Sequence, residues 1–143
     1  LACDVVLAAD AAEFGLPEVD LGLWPFMVSA LLGRHTSPKR AIDLMLSGRR
    51  VDAAEALQLG LVSRVVPAAE LGERAEELAA EVAAKPPVAV RLGKAAFRAV
   101  LETPLEPALA AMQAQLSLLA TTHDAAEGVG AFLARRPPRW QGR

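Results

Sequence analysis

The sequence predicts a mixed α/β fold, in which a region of short strands and helices is followed by a region of helices alone. Two short apolar runs, at residues 3–9 and 61–66, have the length and the β-branched residues of buried strands. After Pro67 the apolar residues repeat only at helical spacing. Aromatic residues make up 4% of the 143 residues and Tyr is absent, so the core must be built from Ala, Leu and Val, which favours closely packed helices. We therefore predict one domain over residues 1–66 and a second over residues 67–143.

Breakers and capping residues mark the elements of the first region, because Pro and Gly end regular structure and Ser or Asp caps a helix. Asp52 and Glu55 have the spacing of a capping box. The helix predicted to begin at Pro38 should bury a face marked by Ile42, Met45 and Leu46. The predicted elements, in order, are strands at residues 3–9 and 12–16, helices that begin at Pro25, at Pro38 after the N-cap Ser37 and after Asp52, with Gly48 and Gly60 as stops, and a strand at residues 61–66.

The second region is predicted to contain four helices, separated by Pro86–Pro87 and by two further capping boxes, Thr103 with Glu106 and Asp124 with Glu127. Its apolar stripes are longer than its own short helices can cover, which predicts packing against another subunit. The stripe residues are Leu71, Ala75, Leu78 and Val82, then Val88, Leu92, Ala96 and Ala99, then Leu105, Leu109, Met112, Leu116 and Leu119.

Composition limits the partners and the compartment. The formal net charge of -2 gives no reason to expect nucleic acid or a membrane surface as a partner, and no run approaches the roughly 18 apolar residues of a membrane span. The single cysteine, Cys3, rules out an internal disulfide and suits a reducing compartment, so we expect a cytoplasmic protein. The chain opens inside an apolar run and without Met, which predicts a piece of a longer protein that lacks its front.

Glu18, in the stretch FGLPEVDLGLWP, is the strongest candidate for chemistry. A glutamate that follows a proline is usually a solvated loop residue, since carboxylates are seldom buried without a partner. A carboxyl held among apolar groups instead loses hydration and becomes a competent proton shuttle. From composition alone both readings stay open, with Asp20 as a bystander. The apolar neighbours that favour the second are Phe14, Leu16, Val19, Leu21, Leu23 and Trp24.

The other chemically active residue types give weaker signals. His35 lies in a basic loop, and His123 directly precedes a helix, where it is a capping neighbour. Cys3 lies on a predicted strand without a nearby base, and no serine stands in a G-x-S-x-G turn. The acidic residues near the start have neither a nearby His nor the spacing of a calcium loop, so no metal site is expected. The arginines of the C-terminal tail are either a solvated end or a phosphate contact.

Three blocks of the sequence together resemble a known family. They are LACDVVLAADAAEFGLPEVDLGLWP, LMLSGRRVDAAEALQLGLVSRVVP and DAAEGVGAFLARRPPRWQGR, at residues 1–25, 44–67 and 124–143. In this order and spacing they resemble the C-terminal half of the enoyl-CoA hydratase/isomerase (crotonase) superfamily. The resemblance spans essentially the whole chain.

The resemblance implies the C-terminal part of a crotonase-like ββα spiral, followed by a helical trimerisation region. Members of the family bind acyl-CoA thioesters and assemble as homotrimers or as hexamers made from two trimers. Two backbone N–H groups form an oxyanion hole that stabilises an enolate at the thioester carbonyl. The resemblance implies neither a metal nor a redox cofactor, and coenzyme A is part of the substrate.

The resemblance assigns roles to three residues, and a departure from the family's pattern adds two more candidates. Glu18 matches the glutamate of the family's P-E motif, which acts as the catalytic acid/base. Phe132 and Arg135 match C-terminal positions near the CoA moiety, commonly of a neighbouring subunit, although the family usually has Lys at the position of Arg135. Trp24 and Phe26 are the remaining substrate-binding candidates, since Phe26 and the adjacent Met27 replace the small residues that the family usually has there.

Two parts of the family's site are expected upstream of residue 1, namely a second glutamate and both segments of the oxyanion hole. The leading prediction is an enoyl-CoA hydratase-like lyase that adds water to the 2,3-double bond of an acyl-CoA. The alternatives are an enoyl-CoA isomerase, which needs a single glutamate, and a non-catalytic assembly module. We expect the 143-residue chain by itself to lack hydratase activity.

Overall fold

The computed structural model describes residues 1–143 and contains short strands, α-helices and two 3₁₀ helices. The chain divides into two compact units, Leu1–Leu78 and Ala79–Arg143. The last strand ends at Val66, so the first unit also contains the start of the helical region predicted after Pro67. The elements are β1 (Leu7–Ala9), β2 (Glu13–Gly15), a 3₁₀ helix (Pro17–Leu21), α1 (Phe26–His35), α2 (Pro38–Ser47), β3 (Arg50–Asp52), α3 (Ala53–Gln58), β4 (Arg64–Val66), a 3₁₀ helix (Ala68–Glu70), α4 (Leu71–Ala83), α5 (Pro87–Val100), α6 (Leu105–Ala120) and α7 (His123–Leu133).

The strands of the first unit form two separate pairs. β1 and β4 are parallel, with Leu7 opposite Arg64, and β2 and β3 are antiparallel, with Phe14 opposite Val51. A parallel pair needs a long connection, which the elements between β1 and β4 supply. These elements include the 3₁₀ helix that carries Glu18.

The observed strands are shorter than predicted, and one was not predicted. The runs at residues 3–9 and 61–66 are regular only over Leu7–Ala9 and Arg64–Val66, because only these residues pair with each other. β3 was not predicted because its three residues, of which the last is the helix cap Asp52, are too few to show a period of two. Its central residue, Val51, is 2% exposed and belongs to the core.

The core of the first unit consists of two clusters of small and aliphatic residues. On α2 the buried face is Ala41, Leu44 and Met45, which have the i, i+3, i+4 spacing of one helix face. The prediction was right for Met45 and wrong for Ile42 and Leu46, which are 42% and 60% exposed. One cluster contains Ala8, Leu44, Val51, Ala53, Ala56, Leu59 and Val62, and the other contains Leu32, Ala41 and Met45.

The predicted helix boundaries in the first unit are confirmed where a side chain or a glycine fixes them. The Asp52 carboxylate accepts the Glu55 N–H at 2.7 Å and caps α3. Gly48 and Gly60 adopt φ of 62° and 78°, which only glycine adopts without strain. At Gly60 a Cβ would lie 2.8 Å from the His35 carbonyl oxygen, so a side chain there would also clash.

The two capping boxes predicted in the second unit are wrong. Thr103 donates its hydroxyl to the Ala99 carbonyl, and Pro104 occupies the N-cap position of α6. Thr122 caps α7, where its Oγ1 accepts the Ala125 N–H at 3.1 Å. At α7 local spacing could not identify the cap, because Thr122 and Asp124 are both capping residue types and lie two positions apart.

Asp124 instead binds the C-terminal tail. Its side chain is buried, and its two carboxylate oxygens accept the N–H groups of Gln141 at 2.7 Å and Gly142 at 2.9 Å. The Trp140 indole N–H donates to the Ala84 carbonyl at 2.8 Å. These three hydrogen bonds fix the tail onto the second unit.

Much of the apolar surface of the second unit is exposed in the isolated chain. The predicted stripe of α6 is a clear case, since Leu105, Leu109 and Leu116 are 68%, 59% and 67% exposed. Exposed apolar area of this kind usually marks an interaction surface. None of the helices combines the length and the apolar character that crossing a membrane would need.

Candidate active site

Glu18 lies on the 3₁₀ helix Pro17–Leu21, between β2 and α1. Pro17 stands at the start of this helix, where its fixed φ suits the first turn and its missing N–H costs nothing. The backbone carbonyl of Glu18 accepts the Leu23 N–H at 2.9 Å. Gly22, with φ of 72°, ends the turn. The backbone around Glu18 is therefore fixed by Pro17 before it and by the turn at Gly22 after it.

The carboxyl of Glu18 has an unusual environment. The residue is half-buried, and its Oε2 atom is buried without any hydrogen-bond partner. A buried polar oxygen without a hydrogen bond costs about 1–3 kcal/mol, which makes this atom a candidate for contact with a ligand or a water molecule. Asp20, two residues along, is exposed and lies against Gly48, where its Oδ2 would be 3.0 Å from a Cβ. The two carboxyls therefore differ in burial.

An apolar cleft of about 670 Å³ opens beside Glu18. Three of the predicted site residues, Glu18, Trp24 and Phe26, line this one cleft. Trp24 is half-buried, while Phe26 and Met27 are 77% and 87% exposed. Glu18 is the only ionisable residue in the lining, which is Glu18, Gly22, Leu23, Trp24, Pro25, Phe26, Met27 and Val28.

The first turn of α1 fixes one wall of the cleft. Pro25 is buried at the N-cap of α1, and the Phe26 N–H donates to the Trp24 carbonyl at 2.8 Å. The Ser29 hydroxyl donates to the Pro25 carbonyl at 2.8 Å. Further along the helix, Leu32 is 2% exposed and anchors α1 in the core. The apolar side chains of the first turn are therefore presented from a fixed backbone.

The second unit carries the other two predicted site residues at the C-terminal end of α7. Phe132 is 82% exposed. Arg135 has φ of 49°, the left-handed conformation that usually belongs to glycine. Its N–H donates to the Phe132 carbonyl at 3.1 Å, and the Arg136 N–H donates to the Ala131 carbonyl at 3.0 Å. This is a Schellman motif with arginine at the glycine position, and the side chain of Arg135 is exposed.

Glu127 holds the tail that follows this motif. Its carboxylate accepts two hydrogen bonds from the Arg136 guanidinium, at 2.7 and 2.8 Å, and one from the Arg139 N–H at 2.7 Å. The Arg136 guanidinium first, and then the Arg139 N–H, lower the pKa of Glu127 to about 2 from its ordinary value of 4.5. Sequence reasoning missed these tail contacts of Asp124 and Glu127. The sequence did contain a signal for the tail contacts, because Asp124 and Glu127 form an acidic pair that is followed by a tail rich in arginine.

The remaining sequence candidates do not assemble into a second site. His35 and Cys3 are exposed. His123 is also exposed, and its Nδ1 lies 3.8 Å from Asp124 Oδ1. No three His, Cys, Asp or Glu side chains stand close enough together to hold a metal ion.

Comparison with known proteins places this arrangement in a family. The chain is 40% identical over 144 residues to 2,3-dehydroadipyl-CoA hydratase of Escherichia coli, covering 100% of this chain and 56% of that protein. The crystal structure of enoyl-CoA hydratase from Bacillus anthracis superimposes with a TM-score of 0.94 at 36% identity, covering 99% of this chain and 55% of that one. The Mycobacterium smegmatis enoyl-CoA hydratase structure gives a TM-score of 0.93 at 35% identity, covering 96% and 54%.

These matches confirm the predicted α/β fold of the C-terminal part, while the trimerisation role of the helical region stays a prediction. The chain spans about half the length of the proteins that it matches. The family model for enoyl-CoA hydratase/isomerase matches residues 1–143, the entire chain. The chain therefore belongs to the enoyl-CoA hydratase/isomerase family.

Proposed function

We propose that the chain supplies the Glu18-bearing part of an enoyl-CoA hydratase-like active site, which adds water to the 2,3-double bond of an acyl-CoA thioester. The observation that carries the proposal is the buried Oε2 of Glu18, which has no hydrogen-bond partner and belongs to a residue that lines an apolar cleft. A carboxyl in this position is ready to bond to a reacting water or to exchange a proton with a carbon acid. The family membership supports the same chemistry.

In the proposed reaction the oxygen of water bonds to C3 of the enoyl group and a proton is delivered to C2. Glu18 acts as the acid/base for one of these proton transfers, and the electrons of the double bond pass through an enolate at the thioester carbonyl. General acid–base catalysis by one such group contributes roughly 10²- to 10⁴-fold. The two N–H donors that stabilise the enolate, and the second glutamate, are proposed to lie upstream of residue 1.

The C-terminal end of α7 is proposed to contact the CoA part of the substrate. The planar guanidinium of Arg135 is exposed and matches the geometry of a phosphate group, and the exposed ring of Phe132 offers apolar surface. In the proposed assembly, a homotrimer or a hexamer, this end serves the site of a neighbouring subunit. The exposed leucines of α6 support an assembly of this kind. A cytoplasmic location and the absence of any metal or redox requirement remain predictions.

Two other functions are supported by specific observations. Glu18 is the only carboxyl in the cleft lining, which is all that a single-glutamate enoyl-CoA isomerase would require. The exposed apolar face of α6 would also suit a non-catalytic assembly module. Measurements of mass in solution and of acyl-CoA binding distinguish the assembly module from the two enzymes. A trimer that does not bind acyl-CoA would have only the structural role.

Product analysis tests the proposal on the whole protein, meaning the full product of the gene that encodes this chain. With crotonyl-CoA we expect a product heavier by one water molecule and loss of the conjugated enoyl absorbance. Migration of the double bond in a 3-enoyl-CoA without any hydration of crotonyl-CoA would favour the isomerase and refute the hydratase. The purified 143-residue chain is expected to give no hydration, and turnover by it would contradict the proposal that the site is completed by upstream residues.

A further inference from the structure

Arg135 is the one residue other than glycine that has a positive φ in this chain. A residue with a Cβ is disfavoured in this conformation, and it persists there only when the surrounding contacts determine its backbone. Backbone outliers of this kind are concentrated at ligand-binding sites. The contacts that hold the chain before and after Arg135 therefore bear on what its side chain binds.

Glu127 connects the two chain segments that meet at Arg135. It lies about two helical turns before Arg135 on α7, and its side chain is 14% exposed. Its carboxylate accepts two hydrogen bonds from the Arg136 guanidinium, at 2.7 and 2.8 Å, and one from the Arg139 N–H at 2.7 Å. A paired, two-bond contact between arginine and a carboxylate fixes geometry as well as adding stability. One side chain of the helix therefore holds the tail directly after Arg135.

The far end of the tail is attached to α7 as well. The Asp124 N–H donates to the Arg143 carbonyl at 3.1 Å, in addition to the two hydrogen bonds that the Asp124 carboxylate accepts from the tail. The Trp140 ring lies against Gly128, where a Cβ would be 3.3 Å from the ring. Because the tail is held at both of its ends, the turn at Arg135 is closed.

From these contacts we infer that Glu127 is a positioning residue, which holds Arg135 in its left-handed conformation and so directs the Arg135 guanidinium towards the phosphate groups of CoA. The inference rests on the proposed function, since it treats Arg135 as the phosphate contact. Glu127 acts through Arg135 and needs no contact of its own with the substrate. Without the Glu127 contacts, the backbone of Arg135 would have to be ordered when CoA binds. Ordering the backbone of one residue lowers affinity about five- to thirtyfold.

Binding of two thioesters to a Glu127→Gln variant of the whole protein tests the inference without requiring turnover. Hexanoyl-CoA and hexanoyl-pantetheine have the same acyl chain and the same pantetheine arm, but only hexanoyl-CoA has phosphate groups. Glutamine keeps the shape of the side chain and removes the charge that pairs with Arg136. Calorimetric titration should show hexanoyl-CoA binding about fivefold more weakly or worse. Binding of hexanoyl-pantetheine should change by less than about twofold, whereas a purely structural role would weaken both thioesters alike.

A double-mutant cycle shows whether Glu127 acts through Arg135. In an Arg135→Gly background no guanidinium remains to be positioned, so adding Glu127→Gln should change hexanoyl-CoA affinity by less than about twofold. Arg136→Lys is measured beside it, because lysine keeps the charge but lacks the fork that pairs with both oxygens of Glu127. It should show the same selective loss, which keeps the inference testable if Glu127→Gln does not fold. The matched control is Glu81→Gln, which removes an exposed carboxyl of α4 and should leave both affinities unchanged.

The possible outcomes separate this inference from the proposed function. Equal weakening of the two thioesters, or native affinity for hexanoyl-CoA in a folded Glu127→Gln protein, would overturn the inference. So would a full additional loss in the Arg135→Gly background, or the absence of hexanoyl-CoA binding by the native protein. Selective loss of hexanoyl-CoA affinity in a protein that does not hydrate crotonyl-CoA would support the inference and count against the hydratase alone.

Discussion

Replacing Arg135 by glycine should make the protein more stable and its CoA binding weaker. Arg135 has φ of 49° at the position of a Schellman motif that usually carries glycine. A side chain at this position destabilises the folded state, because its Cβ lies close to the following carbonyl oxygen. We expect Arg135→Gly to relieve that cost and, at the same time, to remove the proposed phosphate contact.

The magnitude follows from two opposing effects on the free energy of unfolding. Relief of the left-handed conformation contributes about 1–2 kcal/mol. The greater conformational freedom of glycine in the unfolded chain lowers the free energy of unfolding by about 0.4–1 kcal/mol. The net expectation is a stabilisation of roughly 0–1.6 kcal/mol, centred near 0.8 kcal/mol. Both hydrogen bonds of the motif are made by backbone groups, so the substitution leaves them intact.

Urea unfolding followed by circular dichroism measures this change, and titration with a CoA thioester measures the affinity. The matched control is Arg139→Gly, because Arg139 does not have a positive φ and its contact to Glu127 is made by its backbone N–H. The control should not stabilise the protein. Loss of one charge-assisted contact in Arg135→Gly should weaken CoA binding roughly tenfold or more.

Two results would refute this reasoning. Destabilisation by Arg135→Gly would mean that the arginine side chain contributes more to the fold than its backbone conformation costs. Unchanged affinity for the thioester in a stabilised variant would remove Arg135 from the CoA contact. The opposite signs of the two effects matter, because a general loss of structure would lower both quantities together.

Three further predictions concern what holds the chain together. Leu32→Ala should lower the free energy of unfolding by about 3–4 kcal/mol, since Leu32 is 2% exposed, whereas Leu31→Ala, at a 38% exposed position, should cost clearly less. Asp124→Ala should cost about 3 kcal/mol in urea unfolding, because two N–H groups of the tail lose a charged acceptor; a change below 0.5 kcal/mol, about the size expected of an ordinary surface substitution, would contradict the tail contact. The pKa of Glu127 is lowered from 4.5 to about 2, so its stabilising contribution is complete above pH 4.5 and is lost as the pH falls towards 2. The difference in unfolding free energy between the native chain and Glu127→Gln should therefore shrink through this pH window, and a constant difference would argue against the Arg136 pairing.

The parts of the fold that the sequence predicted are those in which a local rule acts alone. Apolar runs located β1 and β4, and Asp52 with Glu55 located the start of α3. β3 could not be predicted from the local sequence, because its three residues form a strand only by pairing with β2. On α2 the helical period was evident, but the buried face depends on which neighbours it meets. That is why Ile42 and Leu46 were wrongly placed in the core.

The candidate site shows the same limit. The apolar neighbours of Glu18 suggested a pocket, and Leu23 and Trp24 do share its cleft. Phe14 and Leu16, which the sequence could not tell apart from them, line a separate cavity of about 360 Å³. The partnerless oxygen of Glu18 is a property of three-dimensional packing, which no spacing rule reports. Likewise, Asp124 had the spacing of a capping residue, but the tail competes for its oxygens.

Glu18 is proposed to move a proton in the reaction, and the substitution Glu18→Gln removes that ability. The amide keeps the shape of the side chain but cannot act as a general base, so kcat for crotonyl-CoA hydration by the whole protein should fall by roughly 10²- to 10⁴-fold. Thioester affinity should change by less than about threefold, a free-energy difference near 0.6 kcal/mol. The matched control is Glu13→Gln, which removes an exposed carboxyl paired with Arg50 and should keep nearly full activity. Retention of more than a tenth of the native kcat by Glu18→Gln would mean that Glu18 does not carry the proton transfer.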